Sequence, residues 1–263
     1  MKTSLTFILA AGLLACSSAP ADTIGSAVTL ELRSDDRGPL PLFPAASGPD
    51  GPRAYAEAVK GAGYRLVVHN TLSCRVGLVI AVDGRNIISG AKSWLKSDER
   101  MYILGPGETQ EYSGWRTAQD KVNRFYFTNA EDSYAGAFND LSAMGVVAMA
   151  VYPEFIPVPP RPPFILDRFN RPCAPGGPSL GMARKAPQPG AEAQGEAGTG
   201  YGEEVYSPSI TVAFQPDARA REKLTVKYEW RETLMRMGVI RDLPVRRNRL
   251  WDSGFAPPPP PRL

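Results

Sequence analysis

Two patterns of apolar residues along the chain predict β-strands. Residues 28–32 (VTLEL) and 224–230 (LTVKYEW) alternate apolar and polar side chains with period two, which is typical of strands with one buried face. Residues 75–82 (RVGLVIAV) and 144–152 (MGVVAMAVY) are almost continuously apolar, as expected for strands covered on both faces. Shorter strand-like runs lie at residues 64–69, 101–104, 109–113, 123–128 and 209–214.

Turn residues separate these runs. The turn Asp83-Gly84-Arg85-Asn86 follows the apolar run 75–82, and residues 87–88 resume an apolar stretch, so this segment predicts a hairpin. Residues 231–237 predict a short helix that Gly238 ends in a left-handed conformation. Short strands at regular spacing predict a mainly β fold: an antiparallel β-sandwich, immunoglobulin-like or jelly-roll-like, with a short C-terminal helix.

Composition divides the chain into segments. Residues 24–156 hold most of the predicted strands and predict the main β-sandwich domain. Residues 157–203 have ten prolines and seven glycines in their first 44 positions, so we expect a flexible excursion, including residues 186–200. Residues 204–240 cannot bury a core alone, so their strands and short helix are expected to complete the main domain. Residues 241–263 form a basic, proline-rich tail.

The N-terminus has the pattern of an export signal with two open cleavage sites. Lys2 supplies a positive charge, and residues 5–15 form an apolar run that is too short to span a bilayer but fits a signal-peptide core. Leu13-Leu14-Ala15-Cys16 resembles a bacterial lipobox, in which Cys16 becomes the lipid-modified first residue. The small residues Ala19-Pro20-Ala21 suit ordinary cleavage after Ala21.

Both cleavage sites predict an extracytoplasmic protein. Lipidation of Cys16 would tether it to a membrane, and the lack of Asp after this cysteine resembles sorting to the outer membrane, facing the periplasm or the surface. Cleavage after Ala21 would instead give a soluble periplasmic protein. The apolar run ends on Cys16 and two serines, which favours the lipoprotein.

Charge and cysteine content narrow the function classes. The formal net charge of +3 over 263 residues is nearly balanced and indicates no nucleic-acid partner. Three cysteines are too few for a disulfide framework. Cys74 and Cys173 could pair in an oxidising periplasm, but Cys173 lies in the proline-rich segment and need not be near Cys74, so the pairing is not favoured.

Several short motifs of the main domain together resemble a known family. They are VDGRNIISG at residues 82–90, GWR at 114–116, RFYFT at 124–128, DSYA at 132–135 and GVV at 145–147. This VDGxN…GWR…FxFT…SYA…GVI pattern resembles an uncharacterised proteobacterial family of exported proteins and lipoproteins. The resemblance implies a globular extracytoplasmic β domain and assigns no activity and no site residue.

Few residues could carry catalysis. His69 is the one histidine of the sequence, which excludes a multi-histidine metal site, and its position at the end of a strand run favours a structural role. Glu131, Asp132 and Asp140 could supply the carboxylate pair of a glycosidase, although acids in solvated loops are far more common. The sequence therefore predicts no catalytic residue, no metal site and no cofactor.

Aromatic and arginine residues are the candidates for a binding surface. They are Trp94, Trp115, Arg116, Tyr134, Arg246 and Arg247. The two last arginines belong to a basic patch with Arg241, Arg249 and Trp251 that could contact an anionic lipid or an acidic partner, although a solvated tail is the simpler interpretation.

These features together predict a non-catalytic cell-envelope protein that acts as a binding or assembly module. Its partner would be an envelope protein or a glycan, recognised by strand addition at an exposed edge or through the proline-rich arms. The alternative is a carboxylate-dependent hydrolase of cell-wall or glycan material. Two carboxylates that converge in a cleft, one with a raised pKa, would favour the hydrolase.

Overall fold

The computed structural model describes residues 20–48, 51–155 and 195–241. These residues form fifteen strands and one short α-helix. The strands make two sheets that pack face to face around a large apolar core, which confirms the predicted mainly β sandwich. The predicted C-terminal helix is also present, and Gly238 follows it with a φ of +73°.

The elements are numbered in chain order. The strands are β1 (Val28–Ser34), β2 (Gly38–Pro39), β3 (Leu42–Gly48), β4 (Gly51–Ala58), β5 (Gly63–Asn70), β6 (Val76–Val82), β7 (Arg85–Asn86), β8 (Tyr102–Leu104), β9 (Thr109–Tyr112), β10 (Gly114–Ala118), β11 (Lys121–Asn129), β12 (Val146–Pro153), β13 (Ala197–Thr199), β14 (Glu204–Tyr206) and β15 (Glu222–Trp230). The helix is α1 (Arg231–Arg236), and two 3-10 turns lie at Ala130–Asp132 and Gly136–Phe138.

Strand pairing is almost entirely antiparallel. The first sheet has the order β10-β11-β5-β1-β2, with β9 beside β5 and with β13 and β14 beside β11. The second sheet has the order β3-β4-β15-β12-β6-β7, with β8 beside β6. The pair of β4 and β15 is parallel, which the sequence did not indicate. Strand β15 therefore lies inside the second sheet, between β4 and β12.

The predicted alternation of buried and solvent-facing residues is confirmed in the half-buried strands. The large apolar side chains that β1, β11 and β15 bury at alternating positions are Val28, Leu30, Leu32, Phe125, Phe127, Leu224, Val226 and Tyr228, and the alternation breaks only near strand ends, where Val122, Asn123, Thr128 and Glu229 are also buried. Arg124 and Tyr126 lie on the opposite face of β11, as predicted. Removal of these apolar side chains from water is the main force that holds the two sheets together.

Strand β6 is buried along its whole length, as its continuous apolar sequence predicts. Its inner face joins the main core through Val76, Leu78 and Ile80. On its outer face, Val79 packs with Ala150 and Tyr152 of β12 in a second cluster. Leu95, Met101 and Ala220, from the loops on either side, pack against this cluster.

The Asp-Gly turn after β6 is confirmed. Val82 pairs with Arg85, so Asp83 and Gly84 form a two-residue loop with φ angles of 48° and 76°. Positive φ at both positions is the geometry of the tight hairpin turn that Asp-Gly favours. The returning strand β7 is shorter than expected and ends before residues 87–88.

Strands β3 and β4 were not predicted. Their sequences, LFPAASG and GPRAYAEA, place alanine, proline and glycine where a strand pattern needs large apolar side chains. Ala54, Ala56 and Ala58 are nevertheless buried on the inner face of β4. Alanine side chains fill the inner face of β4, but they are too small to produce a clear strand pattern in the sequence.

The predicted strand at residues 209–214 is wrong. These residues pair with no neighbouring strand, and Ile210 is 83% exposed. The β-branched sequence SITVAF favours an extended backbone, but a strand also requires a partner, and the described chain supplies none at this position.

The prediction that residues 186–200 are flexible is wrong for their last part. Ala197–Thr199 form β13, which pairs with β11, and all three residues are buried. Gly200 is needed for close packing, because a Cβ atom there would lie 2.1 Å from the Tyr126 ring. The abundance of glycine in this segment suggested flexibility. In the structure these glycines instead permit close contact between neighbouring elements.

A buried chain of hydrogen bonds connects the two sheets. The hydroxyls of Tyr64 and Thr199 are 2.7 Å apart, those of Thr199 and Tyr228 are 2.6 Å apart, and Tyr228 donates to Asp83. Each hydroxyl has one proton, so Tyr64 donates to Thr199, and Thr199 donates to Tyr228. Burial raises the pKa of both tyrosines, which keeps these donors protonated.

Candidate functional site

An aromatic pocket of about 470 Å³ opens on the surface beside β10 and β11. Its aromatic lining residues are Trp115, Tyr126, Tyr134, Phe138 and Tyr201. Strands β10 and β11 supply the first two residues, and the two 3-10 turns with their connection supply the next two. Tyr201 follows β13, which pairs with β11 and so brings a residue from late in the sequence to the same place. We call this feature the aromatic pocket.

Tyr134 lies at the centre of the aromatic rings. Its ring centroid is 4.4 Å from that of Trp115, 5.2 Å from Phe138 and 5.6 Å from Tyr201. The rings of Tyr134 and Tyr201 are nearly parallel, at 17°. Trp115 is only 2% exposed, whereas Phe138 and Tyr201 are 53% and 46% exposed. The outer two rings therefore offer open aromatic surface that is supported from behind by a buried cluster.

Trp115 is fixed in place by its polar and its apolar contacts. Its indole Nε1 donates a 3.1 Å hydrogen bond to the carbonyl oxygen of Gly200. Its ring meets Phe125 of the core edge-on, at 86° and 5.3 Å. The floor of the aromatic pocket is therefore continuous with the core of the sandwich.

Polar groups border the aromatic surface. Ser89 and Asp132 are exposed and line the aromatic pocket. Arg116 also lines it, but its guanidinium donates 2.8 Å and 2.9 Å hydrogen bonds to the Tyr102 hydroxyl and the Ser207 carbonyl, neither of which lines the aromatic pocket. A second guanidinium, that of Arg85, lies 3.9 Å from the ring centroid of Phe138. The border therefore contains both an available carboxylate and positive charge.

The structure brings together three of the predicted surface residues and separates the others. Trp115, Arg116 and Tyr134 all line the aromatic pocket. Trp94 does not line it and is 68% exposed on a loop. Arg246 and Arg247, with Arg249 and Trp251, lie outside the described residues.

Glu99 shapes the loop that carries Trp94. Its carboxylate accepts hydrogen bonds from the Ser93 hydroxyl at 2.6 Å and from the Trp94 amide at 2.8 Å. Burial opposes ionisation of Glu99, but the hydrogen bond from the Lys96 amide at 3.0 Å, together with those from Ser93 and Trp94, outweighs it and lowers the pKa of the carboxyl. The exposed indole of Trp94 therefore stands on an ordered loop, where Lys92 lies 5.6 Å from its ring centroid.

Three aromatic residues of the aromatic pocket, Tyr126, Phe138 and Tyr201, were missed from the sequence, and Tyr126 was predicted only as an outward residue of its strand. Phe138 lies on a 3-10 turn that the periodicity did not indicate, and Tyr201 lies in a segment whose composition suggested flexibility. The short sequences Gly-Tyr at 200–201 and Asp-Ser-Tyr at 132–134 carry no pattern that would place them together in the fold. The pairing of β13 with β11 does this, and it is not visible in the sequence.

The predicted acids do not share one environment. Asp140 contacts Lys92 at 3.1 Å and accepts a 2.6 Å hydrogen bond from the Ser142 hydroxyl. The Ser142 hydrogen bond, with help from Lys92, lowers the pKa of Asp140 to about 2. Glu131 and Asp132 are exposed on the first 3-10 turn.

His69 and Cys74 have ordinary structural positions. The Nδ1 atom of His69 is 2.9 Å from the Thr109 hydroxyl of the neighbouring strand β9. Cys74 is half-buried. Cys173 and Cys16 lie outside the described residues, so the disulfide and the lipid attachment stay predictions.

The fold and the site define a two-sheet β-sandwich with a supported aromatic pocket on its surface. Among the described residues, no cluster of three or more histidine, cysteine or acidic side chains could hold a metal ion. No helix in the described ranges has the length and apolar character needed to cross a membrane. Comparisons with protein-family models, curated proteins and solved structures gave no match.

Proposed function

We propose that this protein is a non-catalytic binding module of the bacterial cell envelope and that it binds glycan in the aromatic pocket. The observation that carries the proposal is the convergence of Trp115, Tyr134, Phe138 and Tyr201 on one concave surface. Aromatic walls with a few polar groups are typical of sites that bind small organic ligands.

A sugar ring suits this combination of surfaces. Its C–H faces can stack on the exposed rings of Phe138 and Tyr201, while its hydroxyls can reach Asp132 and Ser89 at the border. The guanidinium of Arg85 over Phe138 adds positive charge, which favours an acidic sugar. These features support a ligand of the peptidoglycan type, whose muramic acid carries a carboxylate.

The behaviour of Asp140 supports binding over hydrolysis. A glycosidase acid needs a carboxyl whose pKa is raised, so that it holds a proton near neutral pH. Asp140 has the opposite property, because Ser142 and Lys92 lower its pKa to about 2. Asp140 therefore does not fit the general acid of the carboxylate-dependent hydrolase.

The proposed location follows from the N-terminal sequence. The run Leu13-Leu14-Ala15-Cys16 supports a lipid anchor in the outer membrane, and Ala19-Pro20-Ala21 supports a soluble periplasmic form. In either form the aromatic pocket would be in the compartment that contains the cell wall.

Calorimetric titration with the N-acetylglucosamine–N-acetylmuramic acid disaccharide tests this proposal. We expect binding to the wild-type protein and at least about tenfold weaker binding to Tyr201→Ser, which removes an exposed ring of the aromatic pocket. Tyr206→Ser is the matched control, because Tyr206 is 76% exposed but does not line the aromatic pocket.

Two results would overturn the proposal. Equal binding by the wild type and Tyr201→Ser would place the ligand elsewhere. New reducing ends released from longer peptidoglycan chains by the purified protein would favour the hydrolase.

A further inference from the structure

A second surface feature is an extended segment, residues 207–216, which we call the strap. It runs over a groove of about 1030 Å³ that is also lined by β8, β9 and β10. Its middle residues, Ile210 to Ala213, are all exposed, and Ile210 is 83% exposed. Three of these are β-branched, so a segment with high strand propensity lies on the surface without a strand partner in the part of the chain that the structure describes.

The strap is attached to the protein through its odd-numbered residues. Near its start, the amides of Ser207 and Ser209 donate to carbonyls of the loop between β10 and β11, at 2.7 Å and 2.9 Å. Near its end, the carbonyls of Ala213 and Gln215 accept hydrogen bonds from the Arg75 side chain and the Phe155 amide. In an extended chain, successive residues direct their backbone polar groups to opposite sides.

The even-numbered residues therefore direct their backbone groups away from these attachments. Among the described residues, the amides and carbonyls of Ile210 and Val212 have no backbone partner. The amide of Phe214, on the same side, likewise has no backbone partner within the described ranges. The strap thus presents a row of backbone N–H and C=O groups that could pair with another strand, as the edge strand of a sheet does.

The sequence of the strap lacks the usual protection of such an edge. Exposed edges commonly carry charged residues or prolines that prevent pairing with another chain, and the strap has prolines only near its two ends, at Pro208 and Pro216, so its middle, residues 209–215, has neither protection. Residues 207–216 (SPSITVAFQP) contain no charged residue.

We infer that the strap is a self-association site, at which two copies of this protein pair their straps antiparallel about a two-fold axis at Thr211. This arrangement is independent of glycan binding in the aromatic pocket. Each Ile210 then lies opposite the partner's Val212 and exchanges both ladder hydrogen bonds with it. Ile–Val contacts form on one face and a Thr–Thr contact on the other, which are favourable cross-strand pairs.

Charge at the two ends of the strap fits the same symmetry. The chain before the strap carries Glu204, which is paired with Lys121 at 2.7 Å, and the strongly exposed Glu203, whose contact with Arg124 is longer, at 3.4 Å, whereas the chain after the strap carries Arg219 and Arg221 with Asp217. Antiparallel pairing places the acidic end of one strap beside the basic end of the other. Complementary charge of this kind selects the antiparallel arrangement over the parallel one.

The contact is small, so the dimer is expected to be weak. One short strand from each copy buries less surface than the roughly 1,200 Å² of a stable complex. We therefore expect association that depends on protein concentration.

Sedimentation velocity of the purified exported protein over a concentration series tests the inference. We expect the weight-average sedimentation coefficient to rise with concentration for the wild type. Val212→Pro removes an outward amide from each copy and should weaken association roughly tenfold or more. Thr211→Pro is the matched control: its amide lies on the inner side and has no backbone partner among the described residues.

Each outcome decides the inference. Association that survives in Thr211→Pro and is lost in Val212→Pro supports it, provided that both variants keep the thermal unfolding midpoint of the wild type. A protein that stays monomeric at every concentration overturns it. Equal loss in both variants also overturns it, because the two sides of the strap would then be equivalent.

Discussion

The hydroxyl of Tyr228 donates a 2.5 Å hydrogen bond to the carboxylate of Asp83 in the interior of the sandwich. Asp83 belongs to the tight turn after β6, and Tyr228 belongs to β15. The same carboxylate accepts backbone hydrogen bonds from Gly145 at 2.9 Å and Thr199 at 2.6 Å. One buried acid therefore fixes three segments that are distant in the sequence, including β13, which leads to the aromatic pocket.

The stability of the protein should depend on the ionisation of Asp83. Burial raises the pKa of this carboxyl from 3.8 to about 6, although its hydrogen bonds oppose the shift. Between about pH 4 and pH 6, Asp83 therefore keeps its proton in the folded state but has lost it in the unfolded state. The resulting stabilisation is complete below about pH 4 and is lost as the pH rises through 6, a change of about 3 kcal/mol.

Urea unfolding at pH 4 and at pH 7 measures this effect. Asp83→Asn cannot ionise, and its side chain tolerates the positive φ of the turn. The change in unfolding free energy between the two pH values should differ between wild type and Asp83→Asn by about 3 kcal/mol, with the wild type gaining more at low pH. An equal change in unfolding free energy in the wild type and in Asp83→Asn would show that Asp83 does not cause the pH dependence.

Tyr228→Phe should destabilise the protein at neutral pH. It removes a donor to Asp83 and leaves the Thr199 hydroxyl without its acceptor, a loss of about 1–3 kcal/mol. It should also raise the pKa of Asp83 further, since the tyrosine hydrogen bond lowers this pKa. Tyr206→Phe is the control, because Tyr206 is 76% exposed and should change the unfolding free energy by less than about 0.5 kcal/mol.

The contact between Tyr64 and Thr199 should appear as an energetic coupling. These hydroxyls are 2.7 Å apart and belong to one buried chain of donors. A double-mutant cycle with Tyr64→Phe and Thr199→Val, measured by urea unfolding, should give a coupling of about 0.5–3 kcal/mol. Strict additivity would show that the two hydroxyls do not act together.

The intact mass of the exported protein should distinguish the two cleavage sites. We expect a chain that begins at Cys16 and carries a diacyl or triacyl modification, because this cysteine ends the apolar run of the signal. Cys16→Ser should abolish the added mass. An unmodified chain beginning at Asp22 would instead establish ordinary cleavage after Ala21.

Sequence patterns predict the fold where large apolar side chains alternate or form runs. This condition holds for β1, β6, β11, β12 and β15, and these strands lie close to their predicted ranges. It fails for β4, whose buried positions are alanines, and for β13, whose glycines allow close packing. In the strap, a strand was predicted where none forms. Its β-branched residues favour an extended backbone, but a strand also needs a neighbouring strand to pair with.

The site was partly predictable for a similar reason. Trp115 and Arg116 stand out as a pair in the sequence, and Tyr134 as an aromatic in a predicted loop. Tyr201 did not stand out, because its position depends on the pairing of β13 with β11. Asp83 was predicted only as a turn residue, and its burial beneath β13 and β15 is a property of the tertiary structure.

Nuclear magnetic resonance titration tests the central claim, that the aromatic pocket binds glycan, most directly. On addition of the N-acetylglucosamine–N-acetylmuramic acid disaccharide, the indole N–H signal of Trp115 and the amide signals of Tyr134 and Tyr201 should shift together. The indole signal of Trp94, which lies outside the aromatic pocket, should stay in place. Shifts confined to Trp94 and its loop, or no shift at saturating disaccharide, would contradict the claim.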